Sequence, residues 1–561
     1  MTKFRTLLVA LLSTTASLPA TAHADVLVDN VQGITITADG KVDRFTGLWI
    51  ADDGTIRQVL DRGDRRPQRT TYRVDGRGRV MIPGMIDSHA HVLNLGFASL
   101  TLDLSDTNSL DEALAKIAAF ARDNPGRPWI VGRGWNQERW GLGRFPTAAE
   151  LDRAVGDRPV WLSRVDGHAA WANSRAIAVA GVTAETADPA GGRIERGPGR
   201  APTGVFVDNA MELIGKAVPP PRPADRDAAL LAAQQQLLRL GITAVADMGV
   251  SIHDWQAFRR AGDNGTLKLR IMAYADSLDS MTLIGGSGPT RWLYGDRLRL
   301  NGIKLLLDGA LGSRGAWLKQ PYADAPGNRG LALYTPSQLR NIMSRAAMEN
   351  YQVAVHAIGD AADDEILGAI EDMAETYRGD RRWRIEHAQV VDPADLARFG
   401  RHGIIASMQP VHQTSDRLMA ESRLGPQRLA GAYAWNSIAR TGARLAFGSD
   451  APVESPDPFA GWAVAITRVG ADGQPVGGWQ PQERVTPEQA LAGFTAGAAY
   501  AGFADGRFGR LVAGEQADFL LVDRDPLAIN ADQLRGTRVL ETWVGGEKVF
   551  DAARQSSTST R

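Results

Sequence analysis

The chain is expected to be an α/β protein: a (β/α)8 TIM-like barrel joined to a composite β-sandwich built from the N- and C-terminal segments. Three observations carry this expectation. Apolar runs of strand length recur between helical patterns through the middle of the chain. Short alternating strands bounded by Gly, Asp and Asn occupy both ends. Four histidines, one lysine and one aspartate close or occupy the central runs, and the mouth of a barrel is where such folds gather functional side chains.

Residues 1–24 read as a removable segment. Lys3 and Arg5 precede an apolar core at 7–12, and Ala22-His23-Ala24 has the small-residue pattern of a cleavage site. A secretory signal peptide is expected, and with it export to a bacterial periplasm. A membrane anchor is the competing reading, but the apolar run is short against the ~20 residues that a span needs.

Residues 25–82 form the first part of the expected sandwich, with strands at Val26-Leu27-Val28, Ile34-Thr35-Ile36, Leu48-Trp49-Ile50 and Ile56-Arg57-Gln58-Val59. Residues 501–552 form the second part, in which Gly545-Gly546 supplies a hairpin turn before Lys548-Val549-Phe550. The polar residues 553–561 are expected to be a disordered tail. Between the two parts, 83–500 is expected to be the barrel. The strand-like runs of the middle are Val80-Met81-Ile82, Ile242-Thr243-Ala244-Val245, Ile303-Lys304-Leu305-Leu306-Leu307, Val353-Ala354-Val355, Trp383-Arg384-Ile385, Ile404-Ile405-Ala406 and Leu445-Ala446-Phe447. Strand 2 of the eight has no clear run. Residues 124–226 are too long for a single βα unit and read as an insertion or lid. Trp129, Trp135, Trp140, Trp161 and Trp171 crowd into it, either as an aromatic lid or as the core of the insertion itself.

Composition narrows the chemistry. The 561 residues include no Cys, which removes disulfides, thiolate metal sites and cysteine nucleophiles. With 63 Lys+Arg against 64 Asp+Glu and no basic run, nothing attracts nucleic acid or an anionic membrane, so the expected partner is a small-molecule substrate. No G-x-S-x-G elbow, S-x-x-K or Walker loop is present. Oligomeric state is not legible.

His89 and His91 stand two apart, so both imidazoles can face one metal. His356, His387 and Asp450 each end a strand-like run, and Lys304 lies inside one, on strands 1, 4, 5, 6 and 8 of the expected barrel. A lysine within an apolar strand needs a reason, because burying an ammonium is costly. It is either carbamylated, giving a carboxylate that bridges two metals, or a cation of the pocket. His168 has two readings: a contact to a substrate carbonyl or carboxylate, or a hydrogen-bonded histidine that fixes the insertion. Arg314 reads as a substrate contact or a solvent ion pair. His253, His402 and His412 lack strand-end placement and are assigned to structure.

The segments Met81 through His91, Asp166-Gly167-His168-Ala169, Lys304 through Arg314, His356-Ala357-Ile358-Gly359-Asp360, Ile385-Glu386-His387-Ala388-Gln389 and Gly448-Ser449-Asp450-Ala451-Pro452 together resemble the amidohydrolase superfamily. The closest likeness is to the amidohydrolase family 3 or YtcJ-like branch, which includes N-substituted formamide deformylase-like enzymes. The resemblance implies one or two divalent ions, with Zn²⁺ expected, on His89, His91, His356, His387 and Asp450, and on Lys304 if it is carbamylated. It implies a hydrolase acting on a non-peptide C–N bond by metal-activated hydroxide, with Asp450 taking the proton from water and passing it to the leaving amine. Ester or carbamate hydrolysis at the same site, and a non-catalytic exported binding or regulatory protein on the same fold, are the alternatives.

Overall fold

The computed structural model describes residues 25–554; the expected signal segment and the tail from residue 555 lie outside the described residues. Eight parallel strands run in spatial order around a barrel: Met85–Ala90, Ile242–Val250, Arg270–Ala275, Leu298–Leu306, Gln352–Ala357, Arg384–His387, Ile405–Met408 and Arg444–Phe447, here barrel strands 1 to 8. Each pairs in parallel with the next. The ring closes through backbone bonds just beyond strand 8: Asp450 N to His89 O at 2.7 Å and His91 N to Ala451 O at 2.8 Å. Closure therefore sets His89, His91 and Asp450 side by side.

Helices between the strands start where local chemistry favours them. Thr335 accepts from Gln338 N, Gln338 reaches back to Thr335 N, and Pro336 occupies the first turn, so helix Pro336–Met348 has a reciprocal cap ahead of strand 5. Ser251 and Asp254 do the same for Ile252–Asp263.

The two chain ends build one eight-stranded mixed sheet, in which Phe519–Val522 pairs with Val80–Pro83 and Val26–Ile36 pairs with Val42–Ile50. Side chains alternate between two cores. Met81, Phe519 and Leu521 join Val28, Phe45, Leu48 and Trp543 inside the sandwich. Val80, Ile82, Leu520 and Val522 face the barrel core instead. This corrects the reading of Val80-Met81-Ile82 as a barrel run: it is apolar throughout because both its faces are buried, and the first barrel strand is Met85–Ala90. Buried Arg270, at the base of strand 3, forms a forked pair with Asp518 at 2.6 and 2.9 Å, tying barrel to sheet.

The inserted layer is a six-stranded sheet running from Leu102–Asp103 to Pro202–Asp208, so it begins before residue 124. Its first strand is only two residues long, too short to give a periodic signal. The tryptophans divide between its faces. Trp135 and Trp140 pack edge-on against Trp171 at 6.3 and 6.4 Å within one apolar core, while Trp129 and Trp161 belong to the other and Trp129 reaches the cavity wall. No helix among the described residues is long and apolar enough to cross a membrane.

Candidate metal centre and active site

The C-terminal ends of the barrel strands open into a cavity of about 1180 Å³, walled on one side by the inserted sheet. A second chamber of about 760 Å³ adjoins it, and His168, His356, His387 and Asp450 line both. The expected residues from strands 1, 4, 5, 6 and 8 meet here.

Hydrogen bonds fix the imidazoles. His89 is fully buried, and its Nδ1 lies 2.7 Å from Glu386 Oε2. A carboxylate only accepts, so Nδ1 carries the proton and Nε2 keeps its lone pair, directed toward Lys304 Nζ at 3.2 Å and Asp450 Oδ1 at 3.5 Å. His387 donates from Nδ1 to Gln409 Oε1 at 2.8 Å, which likewise leaves Nε2 free. Glu386 is locked by Arg384 at 2.7 Å. Rings of His89 and His387 stand 4.6 Å apart, as do those of His356 and His387.

Asp450 is the hub. Its Oδ1 lies 3.1 Å from His91 Nε2 and its Oδ2 3.2 Å from His412 Nε2. Backbone strain accompanies this placement: Asp450 (φ 59°) and His387 (φ 76°) both adopt the left-handed region. Gly448 lets strand 8 approach strand 1, since a Cβ there would stand 2.6 Å from His89 N. Asp87 then bridges the two strands, accepting from Ser449 N at 2.9 Å and His89 N at 3.1 Å.

Electrostatics follow from burial. Burial, with Lys304 adding to it, pulls His89 down to about 4, and burial, with the adjacent imidazoles and Lys304 disfavouring a further positive charge, holds His356 and His387 well below the usual imidazole value. All three are neutral at pH 7, the form that can ligate a metal. Burial lowers Lys304 to about 8. Burial pushes the Asp450 carboxyl up, but His89, His412 and His91 together outweigh it and hold it well below the carboxylate range. For His412 burial opposes the charge, yet its hydrogen bonds to Asp450 and Glu454 raise it to about 10.

His412, which the sequence reading assigned to structure, therefore stands at the site, bonded to Asp450. It sits in the first turn of helix Pro410–Leu424, four residues beyond strand 7, and the helix turns it back toward Asp450. A search for histidines three to five residues past each strand end would have found it. His168 does reach the site: its ring is 4.8 Å from His356, and Nδ1 donates to Asp208 Oδ1 at 2.8 Å. Arg314 does not. Its guanidinium pairs with Asp324 at 2.8 Å, ten residues along the same loop, and it lies outside both chambers.

The donor set fits a divalent ion. His89, His91 and Asp450 offer donor atoms within 4.8 Å of one another, as do His387, His412 and Asp450. Asp450 Oδ1 is moreover buried without a hydrogen-bond partner among the described residues. Neutral imidazoles with a carboxylate suit such a metal. His412, held as a cation between two carboxylates, has no lone pair to give and acts as a donor to Asp450.

Known proteins are similar to this chain over most of its length. The model of the amidohydrolase family matches residues 73–550. YtcJ of Bacillus subtilis is 33% identical over 536 residues, covering 92% of this chain and 98% of its own. The N-substituted formamide deformylase of Arthrobacter pascens is 28% identical over 545 residues, covering 94% and 98%. Among solved structures, an uncharacterized metal-dependent hydrolase from Pyrococcus horikoshii superimposes with a TM-score of 0.73 at 27% identity, covering 90% of this chain and 99% of that one. On the match across both the barrel and the composite sheet, the chain belongs to the amidohydrolase family, in its YtcJ-like branch.

Proposed function

We propose that this hydrolase is metal-dependent and cleaves an amide-type C–N bond other than a peptide bond. One observation carries the reading: the Asp450 carboxylate lies between two groups of imidazoles at the meeting point of both chambers, with one oxygen toward His89 and His91 and the other on His412. His89, His91, His356, His387 and Asp450 would hold one or two divalent ions, with Zn²⁺ the expected identity. A bound ion of this kind lowers the pKa of water toward neutrality and polarises a carbonyl.

The protein's own groups do the rest. An amine leaves poorly unless it is protonated, so C–N cleavage needs a side chain that takes a proton from water and returns it to nitrogen. Asp450 fills that role, and His412 holds its second oxygen so that Oδ1 stays turned to the reacting side. For His168 burial opposes the charge, but Asp208, Asp166 and Asp308 outweigh it and raise its pKa, and in the cationic form it donates from Nδ1 to Asp208 and from Nε2 to a substrate oxygen. The N-substituted formamide deformylase relative supports the amide reading by its name. Lys304 has two roles open to it, a carbamate bridging two ions or an ammonium 3.2 Å from His89, and a carboxyl group's mass on the Lys304 peptide separates them.

Asp450→Asn tests the reading. Turnover on a panel of N-acyl amines and formamides should fall by about 10²-fold or more with bound metal nearly retained. Full residual activity contradicts it, and turnover confined to esters or carbamates moves the reading to those bonds.

A further inference from the structure

Arg133 lies on the inserted strand Ile130–Trp135 and lines both chambers where they meet. Alternate residues of a strand share a face, and Trp129, Val131 and Arg133 follow one another along the wall of the larger chamber. This wall is apolar at one end and cationic at the end nearer the histidines. The guanidinium makes one hydrogen bond, from Nη2 to Val165 O at 3.2 Å. No carboxylate of the described residues comes within 4 Å of it.

Of the other arginines that line the chambers, Arg127 bonds the Asn124 side chain and Arg139 the Ser105 carbonyl, and the rest are ion-paired. Arg164, Arg222 and Arg417 are paired with Asp166, Asp225 and Asp472. The carboxylates whose field reaches Arg133 are Asp103, Asp450 and Glu454. Each has a partner of its own: Asp103 accepts from Ser105 N and Oγ at 3.0 and 2.9 Å, and Asp450 and Glu454 share His412. A guanidinium is always charged and presents five N–H donors in a planar fork. Arg133 is half-buried at the chamber wall, so the donors it does not use inside the protein are open to a molecule in the cavity.

We propose that Arg133 is an anion subsite: its fork takes the carboxylate of a substrate whose apolar part lies along Trp129 and Val131. The bond presented to Asp450 then belongs to an amphipathic carboxylic acid. The identity of that bond rests on the hydrolase reading above; the binding of the carboxylate does not.

The experiment uses full-length metal-loaded protein and two matched probes, 4-phenylbutyrate and its neutral amide 4-phenylbutyramide, with affinities measured by calorimetry for wild type, Arg133→Gln and Arg133→Lys. Wild type should prefer the carboxylate about tenfold or more, as a charge-assisted fork requires. Arg133→Gln should erase that preference and Arg133→Lys weaken it. Equal wild-type affinity for the two probes, or a preference retained in Arg133→Gln, overturns the subsite. If Arg133→Gln does not fold, an unweakened preference in Arg133→Lys overturns it equally. A parallel assay follows amine release from N-phenylacetylglycine. No amine release from it or from any N-acyl amine or formamide of the panel, while the carboxylate preference stands, removes the C–N cleavage reading and keeps the subsite.

Discussion

His412 Nε2 donates to Asp450 Oδ2 at 3.2 Å, and the same carboxylate keeps Oδ1 3.1 Å from His91. The pair joins the first turn of a helix to the end of a strand, so the reach of one side chain depends on the packing of two elements. His412→Phe should leave the fold intact and lower kcat by about 10- to 100-fold, because a group that orients a ligating or proton-carrying side chain has effects of that size. Steady-state kinetics with metal analysis of the same sample checks this. Wild-type kcat in the variant contradicts the positioning role.

Glu386 couples His89 to Arg384, with 2.7 Å to each and all three side chains buried. Glu386→Gln leaves one acceptor oxygen for His89 and Arg384 to share, turns an amide donor to the other, and takes the carboxylate from Arg384. Metal affinity should drop about 10- to 100-fold, and stability by about 3–5 kcal/mol. Competition with a chromogenic chelator and urea unfolding read the two effects. Burial works against the Glu386 charge, but Arg384 and His89 outweigh it and hold the carboxyl far below its usual value. Its contribution is thus present above the ordinary carboxylate pKa and is lost as pH falls toward the folded value.

Asp363 behaves in the opposite sense. It is fully buried in helix Asp360–Ala374, neither oxygen has a hydrogen-bond partner among the described residues, and burial with Asp308 beside it raises its pKa well above 3.8. A raised carboxyl favours folding fully below the unfolded pKa, and that stability is lost as pH rises toward the folded one. Asp363→Asn, close in shape to the protonated acid, should match wild type near pH 4 and gain on it by about 1.4 kcal/mol per pH unit above that. Urea midpoints at pH 4, 6 and 8 measure the gap. A gap that does not widen with pH contradicts a neutral Asp363.

The residues that bear lone pairs were the legible part of this site. His89, His91, His356, His387 and Asp450 all lie at or within three residues of the C-terminal end of a barrel strand, so the barrel topology alone carries them to one mouth. The unplaced strand is the third, not the second: Ile242–Val250 is strand 2, and Arg270–Ala275 was not legible because Arg-Ile-Met-Ala-Tyr-Ala opens on a charge and contains residues of good helix propensity, which its neighbours in the closed sheet override. His412 was assigned to structure because its position depends on a helical turn rather than a strand end. Arg314 looked available because nothing in the sequence announced that Asp324 would fold back onto it.

The central claim is that the neutral imidazoles and Asp450 hold a divalent ion needed to hydrolyse a C–N bond. The most direct measurement is amine release from an N-acyl amine panel by purified protein before chelation, after chelation and after adding back Zn²⁺ stoichiometrically. The account predicts turnover that disappears with the metal and returns with it, in step with metal content. Turnover indifferent to chelation, or a fully metal-loaded protein that releases no amine from any member of the panel, contradicts it.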